Sequence, residues 1–214
     1  MKIISVNVGL PRPVLWNGRR IMTGIFKEPV EGRVKVRKLN LAGDGQADLS
    51  VHGGVQKAVY VYPSEHYPFW RRELELEDLP WGSFGENLTT EGLWEDEVHV
   101  GDRFRIGTAE VVVTQPRMPC FKLALRFDRE DIVERFLESG RPGFYVAVVQ
   151  EGELGAGDAA ERVHEDENGV SVVDVVRLYL DKDRSDPDLL RRAVGVAALP
   201  ESWRGHFRKR LGAA

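Results

Sequence analysis

The sequence is poor in cysteine: among 214 residues there is one, Cys120. That excludes an internal disulfide framework, and with it a zinc site built from four cysteines. Long apolar runs are missing too, since none approaches the roughly 18 residues of a membrane-spanning helix. The N-terminal MKIISVNVGLPRP lacks a small-residue cleavage site and reads as a first strand, so a soluble, cytoplasmic protein with no membrane contact is expected. Positive charge is not in excess: 30 Lys and Arg stand against 34 Asp and Glu, net −4. That argues against a dedicated nucleic-acid binder. There are no internal repeats and no low-complexity tract.

Apolar residues make up 42% and charged residues 30%, enough to build one real core. Short β-type runs bounded by Gly, Pro or Asp fall at Lys2–Val8, Val34–Leu39, Ala58–Tyr62, Val98–Ile106, Glu110–Gln115 and Phe144–Val149. Gly107-Thr108 sits between two of them as a tight hairpin turn. Irregular spacing, with few long helical patterns between, predicts a closed sheet rather than βαβ repeats. Two helices interrupt it. One is capped by Ser64 and runs through Arg72; the other is capped by Asp128 and stopped by Gly140.

Composition shifts after residue 150. Residues 151–169 hold seven acidic groups and one basic, reading as last strands with exposed connections and a linker near Asn168-Gly169. Three helices come after it, at about 171–182, 187–197 and 200–211, opened by Ser171, Asp186-Pro187 and Pro200. The expectation is α+β, mainly β: a barrel over residues 1–167 and a three-helix domain over 168–214. Trp203, Phe207 and Leu211 form a packing stripe on the last helix. Arg204, Arg208, Lys209 and Arg210 read as its solvated face, or as a surface for an acidic partner.

Four segments are too polar, or too rich in glycine, for their surroundings. Gly43-Asp44-Gly45-Gln46-Ala47-Asp48 offers carboxylates and free backbone N–H groups, yet lacks the length and terminal Glu of an EF-hand. Val51-His52-Gly53-Gly54 lets backbone approach a ligand, and no G-x-S-x-G elbow accompanies it to make a lipase. In Gly85-Glu86-Asn87-Leu88-Thr89, Asn87 and Thr89 alternate with Leu88 and both can face a polar cavity. In Gln115-Pro116-Arg117-Met118-Pro119-Cys120, two prolines hold the thiol in a set place. A cation such as Arg117 or Lys122 beside a thiol favours the thiolate. One thiolate suffices for a metal site only when the cofactor brings sulfur ligands, as a molybdenum pterin dithiolene does.

These segments carry a resemblance. The runs GDGQADLSVHGGVQKAVYVYPSEHYPFW, FGENLTTEGL and GDRFRIGTAEVVVTQPRMPCFKL resemble the MOSC domain family, in its YiiM-type form with a three-helix tail. The resemblance implies molybdenum-cofactor-dependent reduction of N-hydroxylated compounds, including base analogues such as 6-hydroxylaminopurine. It also implies Cys120 as metal ligand, Arg117 and Asn87 as cofactor contacts, and His52, Gly53 and Gly54 as the glycine-rich loop; Thr89 belongs to the same GENLT segment. His52 and Asp44 are candidates for proton delivery. No G-x-G-x-x-G fingerprint is present, so electrons are expected from an external reductase; a homodimer is compatible with the composition. Two other readings stay open: a molybdenum-cofactor carrier or sensor without turnover, and a hydrolase using Cys120 with His52.

Overall fold

The computed structural model describes residues 1–48, 53–181 and 186–212. Thirteen strands and six helices of four or more residues occur among them: β1 Lys2–Val8, β2 Arg12–Trp16, β3 Arg19–Thr23, β4 Glu28–Pro29, β5 Val34–Arg37, β6 Asn40–Leu41, β7 Val59–Pro63, α1 Tyr67–Glu73, β8 Leu88–Glu91, β9 Arg103–Ile106, β10 Ala109–Pro116, α2 Phe121–Phe127, α3 Ile132–Glu138, β11 Phe144–Gln150, β12 Gly152–Leu154, β13 Ala160–His164, α4 Val172–Leu180, α5 Pro187–Gly195 and α6 Glu201–Gly212. None of these helices is long and apolar enough to cross a membrane.

The main sheet has the order β13-β9-β10-β11-β7-β8-β1-β4, antiparallel except for β7 and β8. That one parallel pair results from its connection, since a crossover through α1 returns the chain to the same end of the sheet. Its two ends meet. Lys2 bridges Ala159, Ile3 N donates to Asp158 O at 2.9 Å, and Ala160 N donates to Met1 O at 3.0 Å. The predicted mainly-β architecture is therefore present, with β1 joined to the chain entering β13. Smaller sheets, β12-β5-β6 and the β2–β3 hairpin, lie outside it.

Inward-facing positions of these strands, among them Val6, Val61, Leu88, Phe104, Val113 and Val146, form one core. Val172, Val175, Leu189, Leu190 and Phe207 of the tail helices belong to that same core. A second cluster, dominated by Tyr62, Tyr67, Trp70, Phe84 and Phe136, packs under α1, α2 and α3. Trp70 Nε1 donates to Tyr62 Oη at 2.7 Å, which satisfies both polar tips within that aromatic layer.

Several expectations need correction. Asp128 caps no N-terminus; with φ 50 it ends α2 in the left-handed conformation, and Asp131 precedes α3. α2 escapes the sequence pattern because it is only seven residues long and comes directly after a strand and a proline loop. Ser64 starts a 3-10 turn, and α1 begins only at Tyr67. Val98–Asp102 is a turn, not strand: Asp102 Oδ2 accepts from His99 N at 3.0 Å, and Gly101 has φ 103. The β2–β3 hairpin is absent from the expected strands, although Asn17 (φ 47) and Gly18 (φ 73) supply the left-handed pair its turn requires. The tail matches its expectation. Ser171 and Asp174 form a reciprocal capping box, and Asp186 accepts from the N–H groups of Asp188 and Leu189.

Because tail and sheet share one core, thermal unfolding is expected as a single transition. Phe207→Ala should lower global stability by about 3–5 kcal/mol, the usual cost of deleting a buried aromatic ring. Two separate calorimetric transitions would show that the tail folds on its own core.

Candidate functional site

The fourth polar segment is positioned by β10. The β10–β11 register shifts between Val113 and Gln115, and at this bulge Thr114 Oγ1 sits 2.7 Å from Gln56 O and 3.0 Å from Tyr145 O. A bulge bends its strand and re-aims the residues beyond it. Those residues are Arg117 to Cys120, and the segment ends with the thiol at the extended N-cap position of α2. Cys120 is half-buried and lines a cleft with Arg117, Lys122, Lys57, Asp44 and Asn87. The cleft is open to solvent and small, with a cavity volume of about 90 Å³.

The opposite wall is held by a buried junction. Asp44 Oδ1 accepts from Lys27 Nζ and from Gly9 N at 3.0 Å; its Oδ2 accepts from Asn87 Nδ2 at 3.0 Å. Asn87 Nδ2 also donates to Asn7 O at 3.3 Å, and its Oδ1 accepts from Tyr60 N at 3.1 Å. Three hydrogen bonds of one amide thus tie together β1, β7 and the Asp44 loop. Burial pushes the Lys27 ammonium pKa down, and the Asp44 carboxylate opposes that shift. Backbones approach closely beside the junction. A Cβ on Gly24 would meet Gly45 O at 2.4 Å, so the loop and the strand exit fit together only as glycines.

The cleft is electropositive at the thiol end. Arg117 is buried, stacks its guanidinium 5.1 Å from the rings of both Tyr60 and Phe136, and has no hydrogen-bond partner for Nη1 among the described residues. A buried donor left unsatisfied costs about 1–3 kcal/mol, more when charged, and such groups commonly await a ligand. Burial lowers the Lys57 pKa, with the neighbouring Cys120 opposing. Burial also raises the phenol pKa values of Tyr60 and Tyr145, keeping both as neutral walls around Arg117.

The structure brings Cys120, Arg117, Asn87 and Asp44 to one cleft. Thr89 is not in it: its hydroxyl accepts from Asn7 Nδ2 at 3.0 Å and donates to Glu86 Oε1 at 3.0 Å, fully buried. Glu86 in turn accepts from Tyr67 Oη, Gly82 N and Phe84 N. Burial raises its pKa against those donors. Gly53 and Gly54 do not line the cleft but precede the turn that presents Lys57 to it, and His52 lies outside the described residues. Sequence reasoning missed Lys27, Lys57, Tyr60 and Tyr145. The cations carried no local motif, and the tyrosines read as strand residues.

Two measurements check this geometry. Asn87→Ala strands Asp44 Oδ2 and Tyr60 N, so a loss of about 1–3 kcal/mol in denaturant unfolding is expected. Inorganic pyrophosphate, used as a probe of the cleft, should bind more weakly as pH rises. Lys57, its pKa already lowered, sheds its charge earlier than an ordinary lysine, and Lys57→Arg should flatten that part of the profile.

Comparison with known proteins agrees with this arrangement. Residues 48–161 match the MOSC domain, and residues 170–213 match the YiiM-like 3-alpha helix domain. Uncharacterized protein YflK of Bacillus subtilis is 43% identical, over 97% of this chain and 93% of its own length. Protein YiiM of Escherichia coli is 38% identical over 88% of this chain and 84% of its own. A protein of Gibberella moniliformis named "Reductase" is 34% identical over 75% of this chain, which spans only 29% of that longer protein. The crystal structure of YiiM from Geobacillus stearothermophilus superposes with a TM-score of 0.80 at 34% identity, covering 98% of both chains. With its cleft on the sheet-dominated part and three helices closing the same core, the chain belongs to the MOSC domain family, in its YiiM-like branch.

Proposed function

We propose that the protein binds a molybdenum cofactor and uses it to cleave the N–O bond of N-hydroxylated compounds, with electrons from a separate reductase. The carrying observation is the single thiol of Cys120 in a cleft walled by Arg117, Lys57 and Lys122, with Arg117 Nη1 buried and without a hydrogen-bond partner among the described residues. The donor set fits the group. Among the described residues no three His, Cys, Asp or Glu are arranged around a metal, so a metal at Cys120 would depend on ligands the cofactor brings. A thiolate joins dithiolene sulfurs in the soft set molybdenum accepts. Buried and half-buried cations suit the phosphate. When bound, the cofactor supplies the two-electron redox chemistry.

The net reaction is R–NHOH + 2e⁻ + 2H⁺ → R–NH₂ + H₂O. Cys120 serves as ligand, not nucleophile. Arg117 holds an anionic part of the cofactor and stays charged at any working pH. Asp44 has all its strong interactions committed to Lys27, Gly9 and Asn87, so in this reading it positions the loop. Proton delivery then falls to His52 or to cleft water. The name of the fungal relative supports a reductive activity, and N-hydroxylated bases remain the proposed substrates.

Cys120→Ser, expressed with cofactor supply, should lose at least about a hundredfold in N-hydroxy reduction with dithionite as electron source, since even outer-shell changes at metal sites cost about 10–100-fold. Molybdenum content should fall in parallel, and thermal stability should hold, because the thiol caps no backbone group. Unchanged activity would remove Cys120 from the chemistry. Molybdenum bound without turnover in the unmutated protein would leave a carrier.

A further inference from the structure

Charge in this chain is unevenly placed. Residues 1–27 contain five Lys or Arg and no Asp or Glu, in a protein of net charge −4. Three of those five, Arg12, Arg19 and Arg20, sit on the β2–β3 hairpin and are exposed. Among the described residues, none of the three pairs with a carboxylate, unlike the cations of the tail. There, Arg204 and Arg208 bind Glu201, and Arg210 donates to the carbonyls of Leu178 and Asp181.

The hairpin register sorts its side chains by face. Val14 pairs with Ile21 on the inner face, where both, with Trp16, pack on the aromatic cluster. Pro13 pairs with Met22 and Leu15 with Arg20 on the outer face, all four exposed, while Arg12 (opposite Thr23) and Arg19 (opposite Trp16) belong to the inner register and are exposed at the stem and beside the turn. Leu15 is 75% exposed and Met22 49%, so two large apolar side chains on one face of the hairpin are left to solvent. Apolar residues beside Arg20, with Arg12 and Arg19 exposed at the two ends of the hairpin, match the composition of a docking surface, where Met and Arg are enriched.

The hairpin also adjoins the cleft. β3 runs directly into Thr23, Gly24 and Ile25, which line it, and the Trp16 ring stacks on Phe121, the residue after Cys120, at 5.9 Å between centroids. Its stem is fixed. A Cβ on Gly45 would meet Pro11 Cδ at 2.7 Å, and Arg12 lies 4.3 Å above the Phe26 ring. A surface so held needs little ordering when a partner arrives.

We infer that the outer face of the β2–β3 hairpin is where an acidic, soluble electron-carrier protein docks, bringing its redox centre to the mouth of the Cys120 cleft. This rests on the reductive reading above. Arg12, Arg19 and Arg20 steer the carrier, and Leu15 and Met22 form the desolvated centre of the contact.

The test uses cofactor-loaded protein and an N-hydroxylated purine, with electrons either from dithionite or from NADPH and a membrane-free extract of the source organism. The variants are R12E/R19E/R20E, its Arg→Lys counterpart, and R204E/R208E/K209E on the tail; thermal melts control for folding. With extract, the hairpin reversal should cut the rate at least about tenfold, the lower end of electrostatic steering effects. The deficit should shrink as salt rises, because exposed charges are screened beyond about 10 Å at 0.1 M. Dithionite turnover should stay unchanged, the Lys counterpart should keep most of the extract-driven rate, and the tail variant should behave as unmutated protein. Equal extract-driven rates in unmutated and hairpin-reversed protein would overturn the docking site, and so would a selective loss in the tail variant. Turnover with dithionite but none with membrane-free extract would overturn a soluble carrier. No turnover of the unmutated, molybdenum-loaded protein with either source would instead overturn the reductive reading. If the hairpin buries itself in a second copy, reversal would split a dimer in sedimentation and leave extract-driven turnover intact, which also overturns the proposal.

Discussion

The cleft depends on one buried contact, Asp44 with Lys27, and on the amide of Asn87 that completes it. Two opposite charges taken out of water repay their desolvation only when every remaining lone pair finds a donor. Here Gly9 N and Asn87 Nδ2 supply those donors. Removing one partner of such a pair typically costs about 3–5 kcal/mol, because the other charge is left buried. The arrangement therefore fixes where three chain segments meet: the exit of β1, the approach to β4 and the loop after β6. With them it fixes the wall facing Cys120.

A second polar layer lies behind the first. Glu86 gathers Tyr67, Gly82, Phe84 and Thr89, and Thr89 also accepts from Asn7. Asn7 and Asn87 link the two layers through backbone, since Asn7 N donates to Asn87 O at 2.7 Å. The GENLT segment thus contributes by position more than by contact. Gly85 and Asn87 line the cleft, while Glu86 and Thr89 hold the strand that carries them. Fully satisfied buried networks of this kind specify one arrangement, which a preformed site requires.

This division explains what could be read in the sequence. The strands at Lys2–Val8 and Phe144–Val149 were legible because β-branched and aromatic runs ended at turn residues. The tail was legible because Ser171, Asp186-Pro187 and Pro200 are local start signals. Cys120 and Arg117 stood out because two prolines and a strand end isolate them. Lys27, Lys57 and Tyr145 were not legible: each sits in an ordinary strand or loop, and only tertiary pairing brings them to the thiol. The same holds for Thr89, whose alternation with Leu88 fixed its side of the strand but not its partner. Alternation reports a face, and Glu86 happened to occupy that face. The hairpin is different again. Asn17-Gly18 supplies its turn, but apolar residues on both faces, Val14 and Ile21 on one and Leu15 and Met22 on the other, break the alternation that marks a half-buried strand.

The helical tail has a mechanical part in the site. Val176 of α4 lies with Met118, Pro119 and Phe136 around a small void behind Arg117. Trp203 Nε1 donates to Gln115 Oε1 at 2.8 Å, at the point where the β10 bulge turns toward the cleft. The three helices therefore back the strand and the proline loop that present Cys120. A loop carrying a metal ligand gains from such support, since a ligand held in one place pays no ordering cost when metal arrives. Arg204 and Arg208 are already committed to Glu201 and Arg210 to helix-end carbonyls, and the tail's apolar stripe to the shared core. The surface left exposed, basic and apolar beside the cleft is the hairpin, on the opposite side of the thiol loop. The two appendages thus divide the work by the physics of their surfaces: the tail, self-satisfied, stiffens the site, and the hairpin, unsatisfied, is left to meet another molecule.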